Sequence, residues 1–111
     1  MHEAGIADDI LAVVLQYAEG RKITAVKIKV GELAGINTDS LLFHLECLSQ
    51  EKHITPLKFD IQKIPAVFIC QCGHQYQSVD PLMACPVCGG YEREIIEGKD
   101  CIVENIEVKD E

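Results

Sequence analysis

Apolar side chains recur along this chain at two different periods, and the change of period divides it into elements. Ile6, Ile10, Val13, Val14 and Tyr17 fall at i, i+4, i+7, i+8 and i+11, with Leu11, Leu15 and Ala18 widening the stripe. That spacing predicts an amphipathic helix over 4–19. Gly20 stands where such a helix ends on a residue of positive φ. The period then drops to two. Val26, Ile28 and Val30 alternate with Ala25, Lys27 and Lys29, which predicts a strand with one buried and one basic, solvated face. Gly31 and Gly35 bracket a tight connection, Glu32-Leu33-Ala34. Asn37, Thr38 and Asp39 are all N-cap types, and Leu41, Leu45 and Leu48, adjoined by Phe43 and Cys47, predict a second helix over 38–50. After Pro56, Leu57, Phe59 and Ile61 alternate with Lys58, Asp60 and Gln62 in a second one-faced strand. Cys101 to Val108 predicts a third.

Two helices on one face of a small three-stranded sheet would bury all these stripes, so the expected class is α+β. Residues 65–98 interrupt the pattern. They hold four of the six cysteines, three of the four prolines and four of the eight glycines, with too little apolar surface to fold unaided. The expected organisation is one domain made of 1–64 and 99–111, with a zinc-ribbon-like domain, 65–98, inserted into it.

Composition narrows the function. At 48% hydrophobic and 25% charged the chain should fold, and its 111 residues suit a binding or carrier protein better than one with a deep catalytic cleft. A net charge of -8 with only 5% aromatic residues disfavours nucleic acid, which needs a basic face and stacking platforms. The longest apolar run, Ile10 to Leu15, is far short of the roughly 20 residues of a membrane span. The N-terminus lacks the basic region and cleavage site of a signal peptide. The expected location is therefore the cytoplasm, where clustered cysteines bind metal more often than they pair.

The cysteine cluster reads Cys70-Gln71-Cys72-Gly73-His74, then Cys85-Pro86-Val87-Cys88-Gly89-Gly90. Two cysteines separated by two residues can reach one ion across a tight turn, and the glycine that follows lets the chain turn closely around sulfur. Four thiolates suit Zn(II) in a closed, structural site rather than an open catalytic one, so no enzymatic activity is expected. Cys72-Gly73 mirrors Cys88-Gly89. The fourth ligand is open between Cys70, one residue before Cys72's neighbour, and His74. The other two cysteines, Cys47 and Cys101, read as small buried hydrophobes. His44 and His53 read as structural or solvated.

The chain opens Met1-His2-Glu3. One reading is a frayed end with an incidental histidine. The other is a chelate. The terminal amine and the His2 backbone nitrogen close a five-membered ring, that nitrogen and the imidazole close a six-membered one, and Glu3 adds a carboxylate or its backbone nitrogen. Such nitrogen-rich planar sets favour Ni(II) or Cu(II) over Zn(II).

Met1-His2-Glu3, Gly31-Glu32-Leu33-Ala34-Gly35-Ile36, Phe43-His44 and the module ending Cys85-Pro86-Val87-Cys88-Gly89 occur here in order. Together they make the whole chain resemble the HypA/HybF family, nickel metallochaperones for [NiFe] hydrogenase maturation. The resemblance implies transported Ni(II) held through His2 with the backbone around Met1 to Glu3. It implies structural Zn(II) on Cys70, Cys72, Cys85 and Cys88, although the single residue between Cys70 and Cys72 departs from the commoner spacing of two. It also implies a maturation GTPase as partner and the hydrogenase large-subunit precursor as recipient, with some members serving urease, and a monomer or homodimer. The rival reading from the residues alone is a zinc-ribbon adaptor for protein or nucleic acid.

Overall fold

The computed structural model describes residues 2–54, 57–78, 80 and 82–109, the side chain of residue 2 excepted. Helix α1 spans His2–Ala18, strand β1 Lys22–Gly31, helix α2 Thr38–Glu51, and strands β2 to β6 Lys58–Ile64, Ala66–Cys70, Gln75–Ser78, Arg93–Glu97 and Cys101–Lys109. A 3-10 turn, Glu32–Ala34, follows β1. The strands form two three-stranded sheets, ordered β2-β1-β6 and β4-β3-β5. The chain divides into two compact units. The first comprises Met1–Lys29, Ile36–Gln62 and Ile102–Glu111; the second comprises Val30–Gly35 and Lys63–Cys101. The segment Val30–Gly35, which lies early in the sequence, thus packs with the second unit, where the Leu33 amide donates to the Gly98 carbonyl (2.9 Å).

In the first unit α1 packs on α2. Ala7, Ile10, Leu11, Val14 and Ala18 of α1, Leu41 and Leu45 of α2, and Ile23, Val26 and Ile28 of β1 are buried. The alternate face of β1 carries Lys27 and Lys29, both paired with Glu104 of β6 (3.2 and 2.5 Å). The Thr24 hydroxyl donates to the Glu107 carbonyl (3.3 Å) while Lys27, further along β1, reaches Glu104, earlier on β6, as in an antiparallel pair. The Lys29 hydrogen bond, reinforced by Lys27, outweighs desolvation and holds the Glu104 carboxyl below its ordinary value. The two faces of β1 therefore differ as its alternation predicts.

The helix ends follow from single side chains. Asn37 caps α2, its Oδ1 accepting the Ser40 amide at 3.0 Å. At the end of α1, Glu19 (φ 53°) and Gly20 (φ 82°) both turn left-handed, and the Arg21 guanidinium donates to the carbonyls of Ala18 (2.9 Å) and Tyr17 (3.3 Å). Those carbonyls have no partner inside the helix.

Two expectations about individual residues need correcting. The buried stripe of α1 is centred on Ala7, Leu11, Val14 and Ala18, while Val13, Leu15 and Tyr17 are exposed, Tyr17 to 68%. The helix is apolar around more than half its circumference, so periodicity marks it as a helix without marking which strip the neighbours cover. Cys47, expected in the core, faces solvent; Cys101 is partly buried, and burial raises its thiol above the ordinary value.

The second unit holds three strands that hydrophobic alternation did not reveal. Antiparallel pairing joins β3 to β4, with Phe68 opposite Tyr76, and β3 to β5, with Cys70 opposite Arg93 and an irregularity at Val67/Phe68. Its core is Ala66, Phe68, Cys70, Tyr76 and Cys85, with Leu33 packed against it.

Candidate metal centre

Cys70 ends β3 and Cys72 lies on the turn beyond it; Cys85 and Cys88 lie on the turn before β5. Each pair is shaped by local backbone bonds. The Gly73 amide donates to the Cys70 carbonyl (2.8 Å) and the Gly89 amide to the Cys85 carbonyl (2.8 Å). Gly73 and Gly89 take φ of 95° and 72°, in the region that favours glycine, and each directly follows the second cysteine of its pair, although the first turn closes across three residues and the second across four. Amides then point at sulfur: Val87 N–H at Cys85 Sγ and Gly90 N–H at Cys88 Sγ, each at 3.4 Å.

The four sulfurs converge to within 4.8 Å of one another. Cys70 Sγ lies 3.3 Å from Cys88 Sγ, and Cys72 Sγ 3.8 Å from Cys85 Sγ. Four thiolates about 2.3 Å from a tetrahedral Zn(II) stand about 3.8 Å apart, so this donor set fits the ion in chemistry and in size. Cys70 and Cys85 are buried and Cys72 and Cys88 exposed, so the cluster sits at the edge of the unit's core. Of the two candidates for the fourth position, Cys70 joins the cluster. The His74 ring stacks on Tyr76 (6.2 Å, 11°), while its carbonyl accepts the Cys70 amide (2.9 Å).

The sulfurs are poised unequally. Burial raises the Cys85 thiol, but the backbone N–H groups of Cys88 and Val87, with the Cys70 and Cys72 side chains, outweigh it and bring Cys85 down to about 7. At Cys70 the Cys72 backbone N–H lowers the thiol, yet the Cys88 side chain and burial prevail, leaving it raised. A cation among the sulfurs favours the thiolate at every position.

The family model for HypA, described as hydrogenase/urease nickel incorporation, metallochaperone, matches residues 1–108. The chain belongs to the HypA family. A hydrogenase maturation factor HypA from Dehalococcoides mccartyi is 36% identical over 115 residues, covering 100% of this chain and 97% of that one. One from Methanothermobacter thermautotrophicus is 29% identical over 119 residues, covering 98% of each. The solution structure of the Ni metallochaperone HypA from Helicobacter pylori superposes with a TM-score of 0.71 at 20% identity, over 100% of both chains, and agrees in fold. This is therefore a nickel metallochaperone of hydrogenase maturation, with a four-cysteine cluster that suits zinc.

Of the amino-terminal residues singled out in the sequence, Met1 and the His2 side chain lie outside what the structure describes; the His2 backbone opens α1. Glu3 is buried, and its Oε2 accepts the Asn37 amide (3.2 Å), tying the first turn of α1 to the N-cap of α2. The sequence reading did not foresee that tie. It also passed over Arg93, whose signal was present: Arg93 is the one Arg or Lys between 65 and 98. Among the described residues no helix is long and apolar enough to cross a membrane.

Proposed function

We propose that the chain carries Ni(II) at its amino terminus and holds Zn(II) with Cys70, Cys72, Cys85 and Cys88 as a structural ion. The nickel donors in this reading are the Met1 amine, the His2 backbone nitrogen and imidazole, and Glu3. The observation that carries it is the start of α1 at His2. Amides in the first turn of a helix have no acceptor within it, so a first-turn nitrogen can give its proton to bind a metal without breaking a helical bond. With Glu3 Oε2 accepting the Asn37 amide, the backbone nitrogen is the Glu3 donor that can bind nickel while leaving this tie undisturbed. A site at a chain end exchanges ligands readily, as a carrier requires. Nickel then passes, with a maturation GTPase, to the hydrogenase large-subunit precursor in the cytoplasm, and urease is the other client named in the family description. The protein itself performs no catalysis in this scheme. In this scheme nickel is carried in the first unit and zinc in the second.

Imidazole and terminal amine bind nickel only when deprotonated, and they ordinarily titrate near about 6.5 and about 7.7–8.0. Nickel binding by the zinc-loaded chain should therefore be strong at about pH 8 and largely lost at about pH 5. Equal affinity at the two values would overturn the amino-terminal site.

A further inference from the structure

Arg93 stands at a junction of the second unit. On β5 its backbone lies opposite Cys70, and the neighbouring Gln71 amide donates to the Glu92 carbonyl (2.9 Å), so the first cysteine pair is tied to this strand. Its side chain turns towards the second pair. The Arg93 Nη1 donates to the Tyr76 hydroxyl (3.0 Å) and to the Met83 carbonyl, two residues before Cys85. The guanidinium lies 4.2 Å from the centre of the Phe68 ring, which packs on Tyr76 at 5.4 Å. Met83 is held from its other side too, its amide donating to the Asp80 carbonyl (3.1 Å), within a turn where Ser78 Oγ accepts the Asp80 amide (2.9 Å).

We infer that Arg93 is a positioning residue for the metal site: it fixes the chain leading into Cys85 against the strand that ends in Cys70, so that the two cysteine pairs face each other before an ion arrives. Three features suit arginine to this. A planar guanidinium serves two acceptors at once while its face remains on an aromatic ring. The acceptors lie on separate segments, a strand and the loop after it. The guanidinium is the only Arg or Lys side chain in 65–98, among thiols that become anionic on binding metal. Ordering done in advance is not charged against metal affinity, and groups that orient metal ligands typically change that affinity by about 10–100-fold.

The inference rests on the four-cysteine cluster being the zinc site, and the test separates the two claims. Zn(II) affinity is measured on the full chain by competition with a chromophoric chelator, and Co(II) is substituted to read thiolate charge-transfer and d–d absorption. Arg93→Met should weaken Zn(II) by about tenfold or more while the Co(II) spectrum keeps its four-thiolate form. Arg93→Lys, which keeps a cation over Phe68 but loses the planar fork, should fall between. Tyr76→Phe, which removes one acceptor and little else, should give a smaller loss and supplies the comparison if Arg93→Met does not fold. Affinities for both Arg93 variants within about twofold of the native chain would overturn the positioning role, as would Lys proving no better than Met. A native chain that shows no thiolate absorption with Co(II) would instead overturn the site.

Discussion

The first unit draws its buried side chains from two helices and a strand, with Ala7, Leu11 and Val14 of α1, Leu41 and Leu45 of α2, and Val26 and Ile28 of β1 all buried and none of them a metal donor. The hydrophobic core cluster of the second is Ala66, Phe68, Cys70, Tyr76 and Cys85, and two of those five are thiols of the four-sulfur cluster. The first kind of core is complete once the chain collapses. The second leaves part of its interior to an ion, as expected of a segment too small to bury enough apolar surface. The same contrast suits the proposed division of labour: a structural ion enclosed by four sulfurs in one unit, and an exchangeable one at a chain end in the other.

Metal removal should separate the units most sharply. Structural zinc sites contribute on the order of 10–16 kcal/mol at neutral pH, so chelation, or Cys85→Ser, should abolish zinc uptake and collapse the NMR dispersion of β3, β4 and β5. The resonances of α1 and α2 should persist, and their loss would break the comparison. Leu41→Ala works in the opposite direction. It opens a cavity in the first core, should cost about 2–5 kcal/mol in chemical denaturation, and should leave zinc stoichiometry unchanged. Asn37→Ala removes the cap of α2 and should cost about 1 kcal/mol. Asn37→Gly should cost less, and because both variants keep the backbone N–H that donates to Glu3, both losses report on the cap and leave the Glu3 tie in place.

Glu104→Gln should have the smallest effect, since its ion pairs with Lys27 and Lys29 lie at the surface. Its sign is set by the carboxyl being held below its ordinary value, chiefly by Lys29. A depressed carboxyl stabilises the fold above the usual carboxylate range and loses that contribution as pH falls through its folded value. The native chain and the variant should therefore differ slightly at neutral pH and converge as pH falls through the carboxyl's depressed folded value, read from the helical signal of the first unit.

How much of this was legible in the sequence also divides between the units. Alternation marked β1 and β2, an apolar stretch of mixed pattern marked β6, and the 3.6-residue period marked both helices, because those elements cover one face more than the other. It did not mark β3, where Ala66-Val67-Phe68-Ile69-Cys70 is apolar throughout, or β4 and β5, whose pattern follows packing around a cluster. The cysteines were visible by spacing, yet the choice of Cys70 over His74 rested on β3 carrying Cys70 into the core. Arg93 and the Glu3–Asn37 tie depend on residues 10 to 34 positions apart, which no local period encodes.

The central claim, that nickel is carried at the amino terminus and apart from the four sulfurs, is tested most directly by calorimetric titration of Ni(II) into the zinc-loaded chain with an unextended N-terminus, beside His2→Ala. The account predicts tight one-to-one binding by the native chain and its loss in the variant, with zinc retained in both. Equal nickel binding by the two, or nickel uptake that displaces zinc, would contradict it.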